Sequence, residues 1–319
     1  MSRIYEALQK AESERGRDPR VDSGQEPAVA IAEYETPVAV EDTALPQARP
    51  AVAHSEYPAR ADAPRLAGID LASVRTAPWA PSIRQLPSLL ERGPAVEQFR
   101  SLRSRIYELR DLKPLKSILV TSAMPQDGKT FVAANLAISL ARNKNARVLL
   151  IDGDMRRYTL HQLLGCESKP GLADYLAGRV ELMDTLQRPE PASITAVSGV
   201  RSAGLPTLTF IAGGDGGDKA ADLSNNSRFR ELIDAASSVF DWIIVDSSPV
   251  LPVSDGVNLA RSCDGVLLVA RGGVTQFTDA QRAQGELKAT NILGFVLNAI
   301  EKPPQAGGYY GYDPRQDGD

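Results

Sequence analysis

Ser122-Ala123-Met124-Pro125-Gln126-Asp127-Gly128-Lys129-Thr130 follows the apolar run Ile118-Leu119-Val120 and opens a small-residue stretch, Phe131 to Ala141, that reads as a helix. A strand, a tight loop and a helix that begins Gly-Lys-Thr form the context a phosphate-binding loop requires. In such a loop, backbone N–H groups converge on phosphate oxygens at the positive end of a helix. Gly128 then lets the backbone approach closely, Lys129 reaches the outer phosphates, and the Thr130 hydroxyl ligates Mg²⁺. Met124, Pro125, Gln126, Asp127 and Phe131 complete the candidate nucleotide-binding segment. Ala123 stands where GxxxxGK(S/T) carries its first glycine. The stretch predicts a site for ATP and Mg²⁺.

Bulk properties narrow the class. A net charge of −4 over 319 residues gives no electrostatic reason to expect nucleic acid as a partner. Cys166 and Cys263 lie far apart without metal-ligand spacing, as packing residues in a reducing compartment would. No run of about 18 apolar residues is present, and Met1 to Leu8 lacks the apolar core of a signal peptide. A soluble, cytoplasmic protein is expected.

Composition divides the chain into four parts. Residues 1–15 read as a short amphipathic helix with Ile4, Leu8 and Ala11 on one face. Residues 16–86 are rich in Pro, Ala and charge without sustained period, and are expected to be a disordered linker. Residues 87–300 alternate helical patterns with continuous apolar runs, which predicts an α/β domain: a mostly parallel sheet of P-loop NTPase type, with helices on both faces. Residues 301–319 are expected to form a polar, flexible tail carrying Tyr309, Tyr310 and Tyr312. At the start of the domain, Phe99, Leu102, Ile106 and Leu109 mark the apolar side of a helix, while Glu97, Arg100 and Arg103 share an opposite arc. Taken alone, that arc reads as a solvated face with internal ion pairs.

Two further places carry chemistry. Arg147 to Ile151 is a buried-type strand that ends in Asp152-Gly153-Asp154-Met155-Arg156. Two carboxylates at the carboxyl end of a strand sit where open α/β sheets bind ligands. Placed together they need a cation or an arginine, which implicates Mg²⁺ and Arg156. Trp242 to Val245 is a second apolar strand ending in an acid, Asp246, with Pro249 turning the chain out of it. An acid at that place resembles a Walker B carboxylate. The glycine-rich Gly213-Gly214-Asp215-Gly216-Gly217 reads as a connection.

In this order on one sheet, the phosphate loop, Asp152/Asp154/Arg156 and Asp246-x-x-Pro249 resemble the bacterial tyrosine kinases of capsule and exopolysaccharide synthesis. The resemblance extends over about residues 90–312, taking in Glu97-x-x-Arg100-x-x-Arg103, Val296-Leu297-Asn298 and the tail tyrosines. It implies an ATP-dependent autokinase. Lys129 would bind phosphates, and Thr130, Asp154 and Asp246 would organise Mg²⁺. Asp152 would orient or deprotonate the incoming tyrosine hydroxyl, and Asn298 would lie near the adenine. The resemblance further implies a homo-oligomer held through Glu97, Arg100 and Arg103, with Tyr309, Tyr310 and Tyr312 as autophosphorylation sites. Its implied partners are a membrane polysaccharide co-polymerase or chain-length adaptor, which would keep the protein peripheral to the inner membrane, and a cognate tyrosine phosphatase. Two other readings compete: a partitioning or septum-positioning ATPase, and a nucleotide-binding scaffold of polysaccharide export without catalysis. The first places a second lysine four residues before the loop glycine, where this chain has Met124. The complete Lys129/Asp152/Asp154/Asp246 set argues against the second.

Overall fold

Continuous apolar runs fold as the inner strands of a sheet. The computed structural model describes residues 28–32, 69–190, 205 and 207–300. Its strands are β1 (Ala28–Ala32), β2 (Arg75–Ala77), β3 (Ser117–Ser122), β4 (Val148–Asp152), β5 (Leu186–Pro189), β6 (Leu208–Ile211), β7 (Trp242–Asp246), β8 (Gly265–Arg271) and β9 (Ile292–Ile300). They lie in the order β1-β9-β8-β3-β7-β4-β6-β5-β2. The run from β9 to β6 is parallel throughout. Antiparallel pairing enters only toward the edges, between β5 and β6 and between β1 and β9.

Successive residues of the parallel strands enter two different cores. Leu119, Leu149, Ile151, Ile243, Val245 and Leu268 face one side; Ile118, Val120, Leu150, Ile244 and Val269 face the other. A strand buried on both faces has no polar side to show, which is why these segments read as unbroken apolar runs. The second core takes α1 (Pro94–Leu112) and α2 (Lys129–Ala141). The first takes α4 (Leu172–Leu176), α7 (Ser227–Ser237), α8 (Asp255–Ala260) and α9 (Phe277–Glu286). Short helices α3 (Leu160–Leu164), α5 (Leu182–Thr185) and α6 (Ala220–Ser224) fill the connections. The apolar positions expected on α1 hold, with Phe99, Leu102 and Ile106 all buried.

The ordered body begins earlier than the expected boundary at Pro87. A 3₁₀ turn over Leu71–Ser73 precedes β2, which pairs in parallel with β5. Ile69, Val74, Ala77, Trp79 and Leu86 are buried, and Trp79 meets Phe210 edge-on at 6.1 Å between ring centroids. These apolar residues have no period because only Ala77 lies in a strand; Ile69 and Val74 join one core and Ala77, Trp79 and Leu86 the other. Residues 28–32, also inside the expected linker, pair with β9. The rest of the linker, the expected helix over residues 1–15 and the tail with its three tyrosines lie outside the described residues. Among the described residues no helix is long and apolar enough to cross a membrane.

Chain order places the site. From β3 the chain moves through α2 to β4, leaving a gap that β7 later fills, and then β8 returns to the other side of β3. The loop after β3 therefore lies at a switch point, between the carboxyl ends of β7 and β8, where such sheets open a crevice.

Candidate nucleotide site

The loop 122–128 is tied down at several points. The Ser122 hydroxyl donates to the Met124 carbonyl at 2.7 Å, and the Met124 N–H donates to Asp127 Oδ2 at 3.0 Å. Gly128, just ahead of α2, has φ 94°, and a Cβ there would lie 1.9 Å from Asn298 Nδ2. Glycine is thus favoured by conformation, and a Cβ there would also have to displace the Asn298 amide of β9. The first turn of α2 begins with Lys129, so its free N–H groups and the helix dipole face the loop. Phe131 packs edge-on against Phe99 at 5.7 Å, which fixes α2 against α1.

Three acids converge on Lys129. Asp152 and Asp246 are register partners at the ends of β4 and β7, and both are buried. Lys129 Nζ lies 3.2 Å from Asp154 Oδ2. Burial works against its charge, but Asp246, Asp154 and Asp152 outweigh that and raise its pKa. Burial pushes the Asp246 carboxyl up to about 6, against the pull of Lys129 and of a hydrogen bond from Thr130. Asp152 stands well above the ordinary carboxylate range, first through burial and then through the Asp246 charge. Gly153 has a reason that its sequence neighbours do not show. Its N–H donates to the Asp246 carbonyl at 2.8 Å, and a Cβ would meet that oxygen at 2.6 Å.

Divalent-metal chemistry fits these residues. Asp246 Oδ1 is buried and has no hydrogen-bond partner among the described residues, while the Thr130 hydroxyl contacts the same carboxylate. A hydroxyl and a carboxylate oxygen are hard donors of the kind Mg²⁺ takes, and Mg²⁺ keeps several waters or substrate oxygens besides. No cluster of three or more His, Cys, Asp or Glu side chains with metal-holding geometry occurs among the described residues.

Several expected residues sit differently from expectation. Arg156 makes its ion pair with neither Asp152 nor Asp154, and the Asp154 charge acts on it only as a minor, longer-range contribution. Its guanidinium grips Asp255 at the start of α8, with Nε 2.6 Å from Oδ2 and Nη2 3.4 Å from Oδ1. Lys129 is the cation among the three acids, because it rises from the helix that begins beneath them. Asp152 takes backbone N–H groups on both oxygens, from Asp154 at 3.2 Å and Leu160 at 3.1 Å, and so holds the turn into α3. Asn298 donates to the Asp127 carbonyl at 3.0 Å, which joins β9 to the phosphate loop. On α1, Arg100 pairs with Glu97 at 2.5 Å and donates to the Glu91 carbonyl. Arg103 turns inward and donates to the Ser139 carbonyl of α2 at 2.7 Å. Gly213 and Gly214 are more than a connection: Gly213 abuts Tyr158 and Asp152, and the Gly213 carbonyl accepts from the first turn of α4. Asp255 and Thr275 were not singled out by sequence reasoning, since neither lies in a motif.

A parallel sheet with a phosphate loop at its switch point and acids on the two neighbouring strand ends defines a P-loop nucleotide-binding domain. The chain is 32% identical over 228 residues to the tyrosine-protein kinase wzc of Salmonella typhimurium, covering 70% of this chain and 30% of that protein. It is 31% identical over 224 residues to the tyrosine-protein kinase etk of Escherichia coli, covering 69% of this chain and 29% of that one. The chain thus spans less than a third of the length of those relatives. Among solved structures, the kinase domain of the Escherichia coli tyrosine kinase ETK matches at 32% identity and TM-score 0.57, covering 69% of this chain and 81% of that one. The BceF tyrosine kinase domain matches at 26% identity and TM-score 0.55, covering 70% and 82%. No family model matches the chain. The chain belongs to the bacterial tyrosine-protein kinases.

Proposed function

We propose that this chain is an ATP-dependent protein-tyrosine autokinase that regulates exopolysaccharide or capsule production. The observation that carries the proposal is the buried convergence of Asp152, Asp154 and Asp246 on Lys129 beside a phosphate loop. Phosphoryl transfer consists mostly of positioning and charge neutralisation, and this inventory supplies both. Lys129 and the N–H groups of loop and helix bind the phosphates. Thr130, Asp154 and Asp246 would hold Mg²⁺, which would supply positive charge to offset that of the phosphates.

In the transfer itself, the tyrosine Oη–P bond forms, the bond from the γ-phosphorus to ADP breaks, and the phenol proton leaves for a carboxylate. Asp152 is that acceptor on the family resemblance. Each of its oxygens accepts one N–H in this structure and keeps a further lone pair for the phenol proton. The catalytic unit runs from Ile69 to Ile300, and Tyr309, Tyr310 and Tyr312 are the acceptors. A homo-oligomer, a membrane adaptor that keeps the protein at the inner membrane, and a phosphatase complete the proposed system. Within it, Glu97 and Arg100 are more available to a neighbouring copy than Arg103, which is engaged with α2.

The test is direct. Purified protein incubated with ATP and Mg²⁺ is digested, and phosphotyrosine is mapped by mass spectrometry. Phosphate on the tail tyrosines supports the proposal. ATP hydrolysis without phosphotyrosine would move it to the partitioning ATPases, and binding without turnover would leave a scaffold.

A further inference from the structure

The carboxyl ends of β8 and β9 converge on a single residue of the phosphate loop. Asp127 is 2% exposed and lies between Gln126 (φ 69°) and Gly128 (φ 94°), both left-handed. For Gln126, which carries a Cβ, that conformation is unfavourable and persists only where the surroundings over-determine it. The Asp127 carboxylate supplies such a constraint. Oδ2 accepts the Met124 N–H at 3.0 Å, which closes the loop on itself, and Oδ1 accepts the Thr275 hydroxyl at 2.7 Å. Asn298 donates to the Asp127 carbonyl from the other side at 3.0 Å.

Thr275 is itself oriented. Its Oγ1 accepts the Arg271 N–H at 2.7 Å, and its own N–H donates to the Arg271 carbonyl, within the turn that follows β8. With the hydroxyl oxygen accepting from the backbone, its hydrogen points to Asp127, and an ionised carboxylate can only accept. The bond direction is therefore fixed by elimination. Two strand ends hold the loop by one side chain and one carbonyl of the same residue.

We propose that Thr275 is a positioning residue for the nucleotide, acting through Asp127 to hold the phosphate-loop N–H groups in their binding arrangement. The proposal rests on the nucleotide site argued above. Without the hydroxyl, one oxygen of a buried carboxylate loses its donor, and Asp127 gains by swinging toward water. That movement would carry the Met124 N–H and the left-handed turn with it. The loss should appear in nucleotide affinity, while the rate at saturation, set by Lys129 and the acids, stays nearly intact.

The experiment compares full-length wild type, Thr275→Val and Thr275→Ser. Binding of a fluorescent ADP analogue with Mg²⁺ is titrated, autophosphorylation is followed at saturating ATP, and thermal unfolding is recorded without nucleotide. We expect Thr275→Val to bind about ten- to a hundred-fold more weakly, and Thr275→Ser to return within about three-fold of wild type. The saturated rate should change by less than about three-fold in both. Wild-type affinity in Thr275→Val overturns the proposal. So does a loss that serine does not restore, since a hydroxyl at this position would then not be what holds Asp127. A saturated rate that falls as far as affinity also overturns it, by placing Thr275 in the chemistry. Should Thr275→Val fail to fold, Thr275→Ala is read in the same way. If wild type binds no nucleotide, the site itself is wrong and the proposal falls with it, an outcome distinct from a wild type that binds and a variant that matches it.

Discussion

Strands β4 and β7 run side by side, and acidic residues stand at both ends of the pair, in opposite conditions. At the amino end, Asp241 Oδ2 accepts the Arg147 N–H at 2.8 Å and the Arg147 side chain at 3.3 Å. One strand over, Asp264 Oδ2 accepts the N–H groups of Lys116 and Ser117, at the start of β3. These carboxylates tie strand starts together, and the Asp241 pKa is lowered. At the carboxyl end, Asp152 and Asp246 are forced together by register and buried, and both stand above the ordinary range. Asp241, which holds the sheet, is comfortable when charged. Acids held above their ordinary range, one of them (Asp246) with an oxygen that has no partner among the described residues, are where a ligand is expected. The same residue type thus ties strand starts at one end and, on the proposed function, serves chemistry at the other.

The hardest way to break this contrast is Lys129→Met. It leaves three buried carboxyls without their cation and the phosphates without theirs. We expect phosphotyrosine formation to fall by at least about three orders of magnitude. Apo stability should fall as well, by roughly 2–3 kcal/mol, because breaking a buried ionic cluster leaves uncompensated charge. Retained autophosphorylation would sink the assignment of the site. Asp246→Asn sharpens the contrast, since it removes a charge that the fold does not want. Activity should drop by about two to three orders of magnitude. The apo unfolding temperature, read by calorimetry, should stay level or rise; a clear fall would make Asp246 a structural acid like Asp241.

Much of this was open to inspection in the chain. The inner strands of the sheet are continuous apolar runs, and burial on both faces leaves no other pattern available to them. Lys129, Thr130, Asp152, Asp154 and Asp246 are local to strand ends, so sequence order alone brings them to one edge. What escaped notice depends on contacts between distant segments. Arg156 lies two residues from Asp154, but its partner is 99 residues away, at Asp255. Thr275 reaches Asp127 across 148 residues from a turn without a motif. Trp79 and Leu86 sit in a Pro/Ala-rich stretch whose composition signals disorder, and they are buried by a sheet face that composition cannot reveal. Strand β5, Leu186-Gln187-Arg188-Pro189, is polar and ends in proline, which is tolerated near a sheet edge.

Arg156→Ala tests the corrected pairing with a smaller effect. Asp255 is buried at the start of α8, whereas the Arg156 side chain is about one-third exposed. Removing the arginine should cost about 1–2 kcal/mol after allowance for solvent screening. A double-mutant cycle with Asp255→Asn should show coupling, and one with Asp154→Asn should show little. Coupling to Asp154 alone would restore the expectation drawn from sequence spacing.

The smallest effect belongs to the amino end. Burial disfavours charge on Asp241, but the N–H, side chain and charge of Arg147 outweigh it and lower the pKa below the ordinary 3.8. A depressed folded pKa means that the unfolded chain binds more protons in that range, so stability rises with pH there. The contribution is complete above the unfolded value and is lost as pH falls through the folded one. Arg147 is half exposed, so screening keeps the contribution to about 1 kcal/mol or less. Asparagine keeps an oxygen for the Arg147 N–H but loses the charge. Asp241→Asn should therefore be less stable than wild type by a constant, small margin from about pH 5 to pH 8, and the two curves should meet below about pH 4. Autophosphorylation should be unchanged, because a strand of this length puts Asp241 roughly 16 Å from Asp246. Denaturant titrations across that pH range decide the matter. A margin that does not narrow as pH falls below the unfolded value would mean that the Asp241 charge is not what joins the strand starts, and loss of activity would mean that the two ends of the sheet do not divide the work.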